Sequence, residues 1–301
     1  MTGIVLAAIV LGAAPDVPAD FAGDFQEAKK LLDQKEHQAA ARAFQRLAGA
    51  APNARGKAAS ISYAAICLGR LGQVDRAIEM ARTIEAKPMS AYTQMEVLSD
   101  AKRHRELVAA FQQEDVATWP DEINYLGFLL RGRAGSAVGG KEAALKDFQR
   151  CADLAGSDVH VKLDALSHVA ALRHELGDDA RAMETHEKAM ALFEANPRWK
   201  GNWLYPRALL GAARVLMGQG KYDEASAMLA RFGDTSEKSK RNAWGFLVLE
   251  AYGDIHAAQG RKALALEKYE DAAAIDTHSS YLDRVNKKIA ALKNTSQRTP
   301  P

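Results

Sequence analysis

Cysteine is nearly absent from this chain. Cys67 and Cys151 are the two among 301 residues. Each sits in apolar helical pattern, and neither has a Cys or His companion at ligand spacing. Both therefore read as small buried hydrophobes rather than a disulfide or a metal site. An excess of one charge is missing too. Lys and Arg number 40 against 38 for Asp and Glu, a net +2, which argues against a nucleic-acid partner held by phosphate neutralisation. Alternating β-branched runs bounded by turns are lacking, which argues against a sheet. The apolar run at residues 4–11 is too short to span a bilayer. No Lys or Arg precedes it, although the small residues Gly12, Ala13 and Ala14 follow where a signal peptidase would cut. Residues 1–20 thus read as a possible signal-like segment and linker. The export reading (periplasmic) stands beside a cytoplasmic one in which the segment is an apolar tail.

What remains is a helical composition. Hydrophobic residues make up 48% and charged residues 26%, enough apolar surface to fold. Ala dominates and β-branched residues are sparse, which favours helix. From about Phe21 apolar residues recur at three-and-four spacing. Ala28, Leu31 and Leu32 form one stripe, and Ala40, Phe44 and Leu47 another, before Pro52. The stretch Gly220-Lys221-Tyr222-Asp223-Glu224-Ala225 then supplies a template. Gly220 can take the left-handed conformation that ends one helix, Asp223 can cap the next, and Ala225 is small enough to let the two touch. Copies recur at residues 72–77, 177–182 and 260–265. The small positions are Ala40, Ala77, Val108, Ala144, Ala182, Ala225 and Ala265, separated by 31 to 43 residues, the range of helix-pair repeats. In the fourth unit the turn reads as swollen over residues 132–140. A last helix begins near Ser279 or Ser280, with Leu282, Val285, Ile289 and Leu292 on one face.

Motifs for chemistry are few. Gly135 to Lys141 follows a phosphate-binding loop as far as its lysine. The next residue should be Ser or Thr and is Glu142, and a helix rather than a strand precedes it. A nucleotide-linked enzyme is therefore the remotest reading. His168 and His174 lie six apart, on different faces. No His-Glu-x-x-His and no Gly-x-Ser-x-Gly occurs, so no catalytic residue, metal or cofactor is expected. The basic cluster Lys102-Arg103-His104-Arg105 reads as a solvated turn.

At Gly220 to Ala225 and Leu126-Gly127 the residues resemble the tetratricopeptide repeat family, in degenerate form: Leu-Gly or an equivalent small pair on the first helix, Gly-x-Tyr-x-x-Ala at the turn, an aromatic four later, Ala three after that, and a closing proline. The resemblance implies an all-α, TPR-like α-solenoid, a right-handed superhelix of antiparallel helix pairs. About seven pairs would cover residues 21–277, and residues 278–301 would give a capping helix and polar tail. Stacking buries the stripes that one pair cannot hide alone. The resemblance further implies that first helices line a groove. Its expected lining is Tyr63 and Arg70, then Asn124, Tyr125, Phe128 and Arg131, then His168 and His174, then Arg207 and Arg214, with Glu250 and Asp254 beyond. Aromatic and Arg residues are what peptide hot spots use. Asn124 and Arg214 fall where some family members grip a C-terminal carboxylate, but the accompanying Lys and Asn are absent. Trp199 to Pro206 forms an aromatic-rich joint that reads as a staple between sub-arrays. The expected function is a non-enzymatic scaffold binding a protein or peptide partner, with no nucleic acid and no integral membrane segment. The alternative is an assembly subunit that self-associates through its convex face or end cap.

Overall fold

The structure, a computed structural model, describes residues 18–195, 204–234, 242–275 and 279–296. The possible signal-like segment (residues 1–17), most of the aromatic joint (Trp199 to Trp203) and Pro197 lie outside them. Fifteen α-helices and no strand occur among the described residues. The chain divides into two compact units, residues 1–156 and 157–301.

Unit 1 holds α1 (Ala19–Asp33), α2 (His37–Gly49), α3 (Ala54–Arg70), α4 (Val74–Arg82), α5 (Lys87–Asp100), α6 (His104–Phe111), α7 (Asp121–Ala137) and α8 (Lys141–Leu154). Its first layer is held by three fully buried aromatics. Phe25 meets Phe44 edge-on at 5.2 Å, and Tyr63 stacks on Phe44 at 4.9 Å. Unit 2 holds α9 (Val159–Glu175), α10 (Asp179–Glu194), α11 (Leu204–Gly218), α12 (Tyr222–Ala230), α13 (Ala243–Ala258), α14 (Lys262–Ala273) and α15 (Ser279–Ser296). Here Phe193 of α10 meets Tyr205 of α11 at 5.3 Å.

One turn is stamped seven times. Lys35, Gly72, Lys102, Gly139, Gly177, Gly220 and Gly260 all have positive φ, between 56° and 89°. Around each, two amides close the preceding helix. At Gly72 they are Gly72 N–H to Gly69 O at 2.9 Å and Gln73 N–H to Leu68 O at 3.0 Å, the Schellman pattern. The residue after the turn is then the N-cap of the next helix. The residue five beyond the left-handed one is always buried: Ala40, Ala77, Leu107, Ala144, Ala182, Ala225, Ala265. So is the residue nine beyond: Phe44, Ala81, Phe111, Phe148, His186, Leu229, Tyr269. A local backbone state thus sets the register of both helices.

This frame corrects several expectations. In the third pair the small position is Leu107, not Val108, because Lys102 rather than a glycine makes the turn. The fourth turn is not swollen: α7 runs on to Ala137 and Gly139 turns as elsewhere. Asp223 does not cap α12. Lys221 is the N-cap and Asp223 sits in the first turn, where its charge suits the helix dipole. Two of the expected closing prolines open helices instead: Pro88 is in the first turn of α5 and Pro120 is the N-cap of α7. Gly127 receives the ring of Trp119, and Gly132 faces Phe148.

At Lys35 and Lys102 a side chain bears the left-handed strain that glycine would avoid. Lys102→Gly is expected to raise stability by about 1 kcal/mol. Thermal denaturation checks this, and an unchanged or lowered midpoint would contradict it.

Candidate functional site

The expected groove positions of unit 1 are mostly structural. Tyr63 is fully buried in the aromatic layer, and Asn124, Tyr125 and Phe128 are buried on α7. The Asn124 side-chain amide donates to Asp121 at 3.2 Å. Arg70 donates to Asp100 at 2.9 Å. Arg131 forks onto Asp147 of α8 at 2.9 and 2.8 Å, and also donates to the Glu114 carbonyl at 2.7 Å and the Phe111 carbonyl at 3.3 Å. Its guanidinium lies 5.4 Å from the Phe128 ring centroid. These residues tie α6, α7 and α8 together rather than face a partner.

Sequence reasoning passed over α5, which carries a deeply buried polar pair of unit 1. Tyr92 and Glu96, four residues apart, are 0% and 2% exposed. The Tyr92 hydroxyl has no hydrogen-bond partner among the described residues. Burial, then the nearby Glu96 carboxylate, pushes its ionisation far above the ordinary phenol range. Beside them Thr93 donates to Ser62 of α3 at 2.8 Å. A polar i, i+4 pair inside an apolar stripe was the available signal.

Unit 2 does bring its expected residues together. Arg207 of α11 donates to Asp164 of α9 at 2.9 Å, and its other terminal nitrogen lies 3.4 Å from both ring nitrogens of His168. Asp164 is nearly buried, while Arg207 and His168 keep about a quarter of their side-chain surface exposed. Arg214, two turns along α11 from Arg207, is exposed. His174 pairs with Asp179 at 2.6 Å, at the start of the next helix. The result is a face on two first helices with a buried carboxylate beneath and cationic groups above.

Just behind it His186 of α10 is buried, with Nδ1 lacking a partner among the described residues. Burial, then His174 and Arg207, lowers its pKa to about 4. A methyl at Gly211 would fall inside the His186 ring, so glycine there is the socket for that imidazole. Gly253 is the socket for Tyr269 in the same way.

Glu250 and Asp254, expected in the groove, are instead covered by α15. Arg284 forks onto Glu250, with Nε to Oε1 at 2.7 Å, and Lys288 lies 2.9 Å from Glu250 and 2.6 Å from Asp254. Burial raises the Glu250 pKa, but hydrogen bonds from Arg284 and Lys288 outweigh it, so the carboxyl titrates below its usual range.

The amides at residues 138–140 all close α7: Val138 to Ala134 O, Gly139 to Ser136 O, Gly140 to Gly135 O. A phosphate cradle needs such amides free. Arg103 of the basic cluster is spent on Asp75 and Glu106. Cys67 and Cys151 are buried free thiols, and burial pushes Cys67 up to about 12. Among the described residues no group of three His, Cys, Asp or Glu could hold a metal, and no helix is long and apolar enough to cross a membrane.

Residues 169–294 match the model of the tetratricopeptide repeat-like domain. This segment carries TPR-like repeats. The apo form of RapI has a similar fold, with a TM-score of 0.69 at 13% identity over 88% of this chain and 79% of RapI. BtubC (BKLC) from P. vanneervenii scores 0.51 at 14% identity over 77% of this chain and 92% of that one. A STAND ATPase with a tetratricopeptide repeat sensor from Pyrococcus horikoshii scores 0.57 at 12% identity over 90% of this chain but 42% of its own length. At these identities the likeness is one of fold. No curated protein matches the sequence. The TPR frame accounts for the turn, small-position and bulky-position register described above.

Proposed function

We propose that this TPR-like chain is a non-catalytic protein-interaction scaffold. In this reading the face of α9 and α11 carrying His168, Arg207 and Arg214 receives a peptide or helical segment of a partner protein that presents carboxylates. One observation carries the reading: Arg207 is held in place by a nearly buried Asp164 while part of its surface stays open beside His168. An arginine pre-ordered in this way loses little entropy on binding and can still donate to an incoming acid.

Arg214 is the position to test, because removing Arg207 would strand Asp164 without its cation. Arg214→Glu is expected to lower partner capture by about tenfold while leaving the thermal midpoint unchanged. Quantitative affinity purification of wild type and variant, with circular dichroism as control, measures both. Equal capture by the two proteins would defeat the assignment of this face. Concentration-dependent mass in sedimentation, lost in the same variant, would instead mark it as a self-association surface.

A further inference from the structure

The last helix is attached unlike the others. Val285 is its one fully buried side chain among the described residues, resting in the cluster of Phe246, Ala265, Tyr269 and Ala272. Tyr281, Leu282, Ile289 and Leu292 are half-buried against that cluster, with Tyr281 stacked on Phe246 at 5.6 Å. Every other α-helix buries at least two side chains among the described residues. Ion pairs add to the attachment: the Arg284 and Lys288 contacts to Glu250 and Asp254, and Lys293 to Glu270 at 3.0 Å. Arg284 and Lys288 remain 45% and 31% exposed, so solvent and salt screen much of this attraction. The groove beneath is strongly marked. Its floor is aromatic, Phe246 and Tyr269, and its wall acidic. Glu250 is 7% exposed, and Asp254 is held by the Tyr269 hydroxyl at 2.6 Å. Such a groove recognises apolar residues at positions i, i+4 and i+8 of a helix together with bases at i+3 and i+7.

We propose that the groove of α13 and α14 is a second recognition site, for a basic amphipathic helix of a partner protein, and that α15 is its built-in competitor. The occupant follows from charge: two acids on the wall ask for two bases, and α15 shows the pattern that fits. When α15 leaves, Glu250 and Asp254 become hydrated, so opening strands no buried charge. The incoming helix needs only to out-compete a weakly buried one. This site does not depend on the face of α9 and α11.

The test uses full-length protein and a labelled synthetic peptide of residues 279–296. Arg284→Ala/Lys288→Ala weakens the latch but leaves the groove intact. This variant is expected to bind the peptide about tenfold more tightly than wild type, with binding reduced by salt and abolished by adding Glu250→Lys. Equal binding by wild type and latch variant, or none by either, overturns the proposal. Hydrogen exchange on the unmodified protein decides independently of any variant. The amides of α15 should exchange faster than those of α13, and faster still in high salt. Protection of α15 equal to that of α13 at both salt levels would mean that the helix never vacates the groove.

Discussion

Replacing Arg131 with methionine is expected to cost unit 1 about 3 kcal/mol. The guanidinium and Asp147 keep only 15% and 13% of their side-chain surface exposed, so the pair is largely desolvated. Methionine keeps an unbranched apolar stem but leaves Asp147 without its cation. It also removes the donors that hold the Phe111 and Glu114 carbonyls, and with them the segment that follows α6. Removing both partners should be milder, because the cost lies in the stranded charge rather than in the pair. The double variant Arg131→Met/Asp147→Leu is therefore expected to be closer to wild type than the sum of the single changes. Hydrogen exchange of α7 and α8 under graded urea measures the effect within unit 1. A loss below about 1 kcal/mol would place Arg131 among ordinary surface ion pairs. The same argument makes charge reversal at Arg131 unsuitable as a binding test, since it would damage the fold that presents any partner surface.

Acidification is expected to weaken unit 2 through His186. In the unfolded chain an imidazole protonates near 6.5, whereas in the fold His186 resists until about 4. Below 6.5 the unfolded state binds the extra proton and the folded state does not. Stability therefore falls as pH drops from 6.5 toward 4, and levels off below that. The interval corresponds to about 3 kcal/mol. The physical cause is burial first, then the like charges of His174 and Arg207 on the neighbouring helices. Glu250 acts in a different window. Its folded pKa is lowered, so its contribution is present above the usual value of 4.5 and is lost only as pH falls below it. Between pH 6.5 and 4.5 the slope should thus come largely from His186. His186→Phe, which puts an aromatic ring over Gly211 as Tyr269 lies over Gly253, is expected to flatten it. Chemical denaturation at a series of pH values tests this, and a variant with an unchanged slope would show that another group carries the proton.

Much of the fold was legible in the chain, for a local reason. Gly72, Gly177, Gly220 and Gly260 announce a left-handed turn because other residues adopt it only under strain. Ala five residues on and a buried residue nine on, bulky in all but Ala81, then place two helices in contact. Where lysine makes the turn, at Lys35 and Lys102, that signal fades, and the third pair was framed one residue late, at Val108. Less of the candidate site was legible. Three-and-four spacing marks a face of a helix but does not say what covers it. A first helix inside a stack is flanked by its own partner and by the neighbouring pair, so Tyr63, Tyr125 and Phe128 became core. Arg207 and His168 stayed at the surface on the same kind of helix.

The sequence by itself determined the all-α character and the register of the turns that a glycine marks at Gly72, Gly177, Gly220 and Gly260, because these depend on residues within one helix pair. Tertiary structure alone decided which charges are spent. Arg131 meets Asp147 across 16 residues, Arg284 meets Glu250 across 34 and Arg207 meets Asp164 across 43. No local pattern records such partnerships, because each forms only when helices distant in sequence are stacked side by side and the space between them excludes water.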